Sequence, residues 1–143
     1  MRRDHFTLTV DDAGEEAPPS LVLSYDGPAG ELTERLTAEG SVPEGEDVDP
    51  AFRLQESADA DDARGVFSLT RRLTGEYLLE AVAEVSAVRS LVDAARAWGD
   101  TYRIRIERPD AEAVVLESGT LLVYDADGNL RRTDSLIPSG VEL

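Results

Sequence analysis

Residues 66–106 read VFSLTRRLTGEYLLEAVAEVSAVRSLVDAARAWGDTYRIRI and hold, in order, a strand, a turn, a strand, a helix and a strand. Phe67 and Leu69 alternate with Ser68 and Thr70 in a strand around Val66 to Arg71, a mostly apolar strand runs from Tyr77 to Ala83, and Thr74-Gly75 between them supplies the turn. Val85, Val88, Leu91, Val92, Ala95 and Trp98 then fall at the three-four spacing of one helix face, which Gly99 ends. Tyr102, Ile104 and Ile106 alternate with Arg103, Arg105 and Glu107, which returns the chain to a strand.

The first half has the same order. Phe6, Leu8 and Val10 form one alternating run and Leu21, Leu23 and Tyr25 another. Asp26-Gly27-Pro28 offers a cap and a first-turn proline, so the pattern predicts a helix over about residues 28 to 39, with Leu32 and Leu36 inward, Glu31 and Arg35 spaced as a pair, and Gly40 as its stop. Phe52 and Leu54 suggest a third strand. Phe6-Thr7-Leu8-Thr9 resembles Phe67-Ser68-Leu69-Thr70, and Ala51-Phe52-Arg53-Leu54 resembles Thr101-Tyr102-Arg103-Ile104. The matches allow two readings, a tandem of two strand-strand-helix-strand units or the chance likeness of short strands, and the order of elements stands under either. Val114 to Leu116, Leu121 to Tyr124 and Leu130 to Thr133 add strands, the last two joined as a hairpin through Asp125 to Asn129. The expectation is a single α+β domain over residues 1–143, with an antiparallel sheet of about seven to nine strands and two helices on one of its faces. Acidic loops near residues 11–19, 41–50 and 56–63 are expected to be mobile.

Composition sets the environment. The 143 residues carry 30 Asp and Glu against 14 basic side chains, every one of them Arg, for a formal charge of −16. At low ionic strength such a charge repels itself, whereas molar salt shortens the screening length to about 3 Å and removes most of that cost. Short-stemmed carboxylates hold water and cations, while a Lys stem would add apolar surface that salt drives together. The absence of Lys beside that charge reads as adaptation to a salt-rich cytoplasm, with a bias toward Arg codons as a second contributor. There is no Cys, which excludes thiol nucleophiles, thiolate metal sites and disulfides. The only apolar run near the start, Phe6 to Val10, is too short and too interrupted for a signal core or a membrane span.

Met1-Arg2-Arg3-Asp4-His5-Phe6-Thr7-Leu8, Ser68-Leu69-Thr70-Arg71-Arg72-Leu73-Thr74-Gly75 and Leu136-Ile137-Pro138-Ser139-Gly140-Val141-Glu142-Leu143 resemble the corresponding segments of a family of short haloarchaeal proteins of unknown function. The resemblance spans the chain and carries no catalytic motif. It implies a stand-alone cytoplasmic protein and lends no activity.

No motif assigns chemistry. Asp125 to Asn129 places carboxylates at alternate positions like a calcium loop, but Leu130 and Leu136 stand where that loop requires Gly and Glu, so the segment reads as a hairpin turn. His5 is the sole imidazole, which rules out a multi-histidine metal site within one chain, and no strained serine turn accompanies it. Glu80, within an apolar strand, is the one acid in an unusual context. No phosphate-binding glycine motif occurs. Neither a metal nor a cofactor is expected, and no catalytic residue is assigned.

The arginines are the candidate binding residues. Arg53, Arg103 and Arg105 project from the polar faces of their strands, and Arg71 lies near a turn beside Arg72, so Arg53, Arg71, Arg103 and Arg105 could gather on one sheet face and hold a phosphate-bearing ligand or a nucleic acid. The competing reading pairs them with Asp and Glu across strands. Nucleic-acid binding is further disfavoured because its affinity falls steeply with salt. The apolar tail Leu136 to Leu143 either covers the domain's own sheet edge or adds to a neighbour's in a homodimer or partner complex. The leading expectation is a non-enzymatic interaction or regulatory protein. An arginine-based ligand binder and a small carboxylate enzyme are the alternatives.

Overall fold

The computed structural model describes residues 3–11, 16–28, 30–38, 40, 42–57, 63–109 and 111–137. After a short 3-10 turn at Arg3–His5, the elements run β1 (Phe6–Asp11), β2 (Ser20–Tyr25), α1 (Glu31–Leu36), a 3-10 turn Gly45–Asp47, β3 (Val48–Leu54), β4 (Arg64–Arg71), β5 (Tyr77–Glu84), α2 (Val85–Ala97), β6 (Tyr102–Arg108), β7 (Ala111–Ser118), β8 (Leu122–Tyr124) and a 3-10 turn Arg132–Asp134. The fold is α+β, with two α-helices and eight strands.

The expected single antiparallel sheet is replaced by two four-stranded mixed sheets. The first has the order β1-β2-β6-β7 and the second β5-β4-β3-β8. Each contains one parallel pair, β2 with β6 and β3 with β8, among antiparallel neighbours. Period-two alternation buries Leu21, Leu23, Ile104, Ile106, Val114 and Leu116 on one face of the first sheet. Phe52, Leu54, Phe67, Leu69, Ala81 and Val123 line the buried face of the second. These inner faces belong to one hydrophobic cluster, which also takes in Leu32 and Leu36 of α1 and five residues of α2.

The tandem reading is corrected by the connectivity. The strand-strand-helix-strand order occurs twice, but each helix carries the chain out of its own sheet. α1 leads from β2 in the first sheet to β3 in the second, and α2 leads from β5 in the second to β6 in the first. The exchange is not symmetric: β6 docks parallel to β2, whereas β3 docks antiparallel to β4. Nor do the helices lie on one face of a sheet. α2 packs against β1 and β5, the neighbouring edge strands of the two sheets, and so enters the core from its border.

α2 follows β5 without a loop, and the carbonyl of Ala63 accepts its first N–H, from Val85, at 2.9 Å. Its other end is closed as a Schellman motif: Gly99 takes a left-handed φ of 91° and the Asp100 N–H reaches the carbonyl of Ala95 at 2.8 Å. α1 is shorter than the predicted 28–39. It starts after Gly30, at φ 81°, instead of at residue 28, and the carbonyl of Pro28 accepts the Tyr25 hydroxyl at 2.8 Å as well as the Glu31 N–H at 3.3 Å; residues 29 and 39 lie outside the described residues. The expected loop at 41–50 ends sooner, because Gly45–Asp47 forms a 3-10 turn and β3 begins at Val48. Residues 12–15, 41 and 58–62 of the three acidic loops lie outside the described residues.

The expected C-terminal strand at Leu130 to Thr133 reduces to one bridge, Leu130 to Tyr124, followed by the 3-10 turn. Its physical cause is Ser135. The buried Ser135 hydroxyl accepts the N–H of Val123 at 2.9 Å and donates to the carbonyl of Arg131 at 2.7 Å, so a side chain takes the place of a ladder bond. Leu136 then bridges Leu121 and is buried, which seats the start of the tail on the chain's own sheet; residues 138–143 lie outside the described residues.

Candidate functional site

The structure separates the four candidate arginines. Arg103 and Arg105 stand on the outer face of the first sheet, where cross-strand registers set two rows: Asp11, Ser20, Arg103 and Glu117, and Thr9, Val22, Arg105 and Val115. Arg103 sits directly opposite Glu117, with Nε 3.6 Å from Oε1. Arg105 lies 3.3 Å from Glu107, whose other oxygen accepts the Ser24 hydroxyl at 3.1 Å. Both guanidinium groups already face carboxylates, and at such exposed positions each pair stabilises by less than about 1 kcal/mol.

Arg71 points inward. It shares the phase of Phe67 and Leu69 on β4, so the same alternation that buries those rings and methyls buries a guanidinium. Its Nη2 donates to the carbonyls of Arg35 and Leu36, both at 3.0 Å, which fastens the end of α1 to the second sheet, while its buried Nε meets no acceptor among the described residues. A cavity of about 520 Å³ opens beside it, edged by Arg72, the fully exposed Leu73, Glu46 and Asp47. Arg72 is itself held by Asp49 at 3.0 Å. Two carboxylates at that mouth oppose an anion, and Arg71 is occupied as a helix clamp.

Arg53 remains. β3 presents it outward between Phe52 and Leu54, on the outer face of the second sheet, opposite Val66 on one side and Tyr124 on the other. No carboxylate of the described residues pairs with it. The turn at Asp125 to Asn129 leans over this face, and Arg53 Nη2 would lie only 3.3 Å from a Cβ at Gly128, whose φ of 89° and missing side chain leave it room. The Asp125 carboxylate of that turn is committed to its own loop, accepting the N–H groups of Asn129 at 2.9 Å and Asp127 at 3.0 Å. Those backbone donors, the Asn129 one foremost, with help from Arg131, hold it below the usual carboxylate range.

Between turn and sheet lies an open cavity of about 450 Å³ whose wall includes Arg53, Gln55, Ser68, Tyr77, Glu80 and Ala126. Gln55 follows the last residue of β3, in the bend just beyond Leu54, and lines the cavity beside Arg53. Ser68 is registered against Ala51 and Glu80, which puts it diagonal to Arg53 on that face. Tyr77 reaches the wall because a bulge at Leu69/Thr70 shifts β5, leaving Leu78 and Leu79 both buried and the Tyr77 side chain 53 % exposed. Glu80, singled out in the sequence, lies half-exposed at this cavity. Alternation marks Arg53 and Ser68 as outward, but the sequence holds no sign that the Asp125 turn would fold over them or that Tyr77 would join them.

The remaining candidates resolve simply. The His5 ring sits edge-on to Tyr25, with centroids 6.3 Å apart. Among the described residues no three His, Asp or Glu side chains gather as a metal site. No helix among them is long and apolar enough to cross a membrane.

Fold and site together define an α+β protein of two mixed sheets with a donor-lined cavity on one outer face. The chain belongs to a family of unknown function, DUF5793, which matches it over residues 1–143. No curated protein and no solved structure matches it.

Proposed function

We propose that this protein is a non-enzymatic interaction or regulatory module of a salt-rich cytoplasm, and that it engages its target through the outer face of the second sheet. One observation carries the reading: Arg53 stands without a carboxylate partner among the described residues, at a polar cavity, in a chain where acids outnumber arginines 30 to 14. Arg72, Arg103 and Arg105 each face a carboxylate, and Arg71 is spent on the carbonyls of α1, whereas Arg53 alone of the four candidates has neither kind of partner among the described residues. An unpaired arginine beside open hydroxyls and an exposed Tyr77 is a surface kept available for something else. The salt-adapted character rests on the charge of −16.

The test is affinity capture from a native lysate of the encoding organism at molar KCl, with wild type, Arg53→Glu and Arg105→Glu as baits. The proposal expects a captured species lost with Arg53→Glu and retained with Arg105→Glu. Equal capture by all three baits would place the contact elsewhere.

A further inference from the structure

The geometry points to the ligand class of the Arg53 cavity: a small-molecule oxyanion, bearing either a phosphoryl or a carboxylate group. The inference rests on the outer face of the second sheet being the binding surface, and it specifies what that surface recognises. Four side chains on the cavity wall carry N–H or O–H donors that no described residue accepts: the Arg53 guanidinium, the Gln55 amide, the Ser68 hydroxyl and the Tyr77 phenol. Guanidinium donors form a planar fork that matches two oxygens of one phosphate or carboxylate, and such charge-assisted bonds are the strong ones. Ser68, diagonal to Arg53, and Gln55, in the bend just past β3, are placed to donate to the remaining oxygens.

Size agrees with this assignment. About 450 Å³ falls within the range of small-ligand sites. The turn that roofs the cavity is also rigid, because Asp125 binds its own loop twice through backbone N–H groups. That commitment leaves Arg53 without a carboxylate beside it, so the site is cationic at its β3 end, while the single acid on the wall, Glu80, stands two strands away on β5 and is engaged in a contact of its own. Val66 and Ala126 add small apolar contacts beside the polar groups, as orientation of an organic ligand requires.

The test is titration of the folded, isotope-labelled chain with inorganic phosphate and, separately, with acetate, at constant high ionic strength. The readout is the Arg53 Nε–H resonance together with the backbone amides of Gln55 and Ser68. Saturable shifts with either probe, weakened about tenfold or more by Arg53→Gln and unchanged by Arg105→Gln, support the assignment. The probe that binds more tightly says whether the natural ligand is a phosphate ester or a carboxylate. Arg53→Lys, which keeps charge but loses the fork, should bind with intermediate strength. Linear, non-saturating shifts, or saturation that survives Arg53→Gln, overturn it. If neither probe binds while Arg53→Glu still abolishes capture from lysate, the face is a binding surface but not for a small oxyanion; if capture is also indifferent to Arg53, both readings fall.

Discussion

Arg71 and Leu36, on different elements and 35 positions apart, are joined by a guanidinium bond from Arg71 Nη2 to the Leu36 carbonyl at 3.0 Å. A second bond from the same nitrogen to the Arg35 carbonyl makes the pair a clamp on the final turn of α1. Helix ends leave carbonyls without partners, and a cation there satisfies them and opposes the local dipole. Arg71→Gln should therefore destabilise the fold by about 2 kcal/mol. Arg71→Lys, with a single charged tip, should recover part of the loss. Urea unfolding midpoints of the three proteins decide it, and equal midpoints would show that α1 needs no clamp.

Ser135→Ala strips the Val123 N–H of its acceptor inside the core. Leaving a buried donor unmade costs about 1–3 kcal/mol, and hydrogen exchange at Val123 should quicken more than at residues of β6. Exchange at Val123 that quickens no more than at β6 would mean that the Val123 N–H finds another acceptor.

A methyl at Gly45 would collide with the Glu117 carbonyl oxygen, so the 3-10 turn packs directly on the edge of β7. Gly45→Ala must push that turn outward, which should cost about 1–3 kcal/mol and uncover an edge that pairs with other chains. Chemical denaturation and sizing chromatography would register lower stability and a greater tendency to self-associate; an unchanged elution and midpoint would contradict the packing.

The Asp125 carboxyl titrates below its ordinary range in the folded chain, chiefly because the Asn129 N–H donates to the charged form. A depressed folded pKa means stability present above the unfolded pKa and lost as pH falls through the folded one. Wild type should thus exceed Asp125→Asn in thermal stability near neutrality, and the two curves should converge as the solution is acidified. A gap that persists under strongly acidic conditions would assign the difference to shape instead of charge.

Raising KCl from about 0.1 to about 2 M should raise the denaturation midpoint, since screening removes the self-repulsion of a chain with net charge −16. Midpoints equal in both buffers would remove the argument for salt adaptation.

The alternating pattern disclosed most strands and the side each one buries, and the three-four spacing with Gly99 disclosed α2 to within a residue or two. The pattern also held an unused clue: Arg71 follows Phe67 and Leu69 at even steps, so its burial was legible where proximity to a turn suggested exposure. Strand partners were not legible, because period two specifies which face is inward and is silent on which strand lies alongside. That is why the exchange of β3 and β6 between sheets escaped the local pattern, and why Arg53 and Arg105, alike in sequence context, end on opposite sheets. The site depends on an overhanging turn and a bulge, features of tertiary packing that leave no periodic trace.

The exchange of strands has a consequence for synthesis. The hairpin β1–β2 leaves the ribosome some 80 residues before its neighbour β6, since Leu21 registers with Ile104. During that interval the open flank of β2 is an adhesive strip on a nascent chain. A protein so wired cannot mature one half at a time: the first sheet is completed only once β6 has followed α2 out of the exit tunnel.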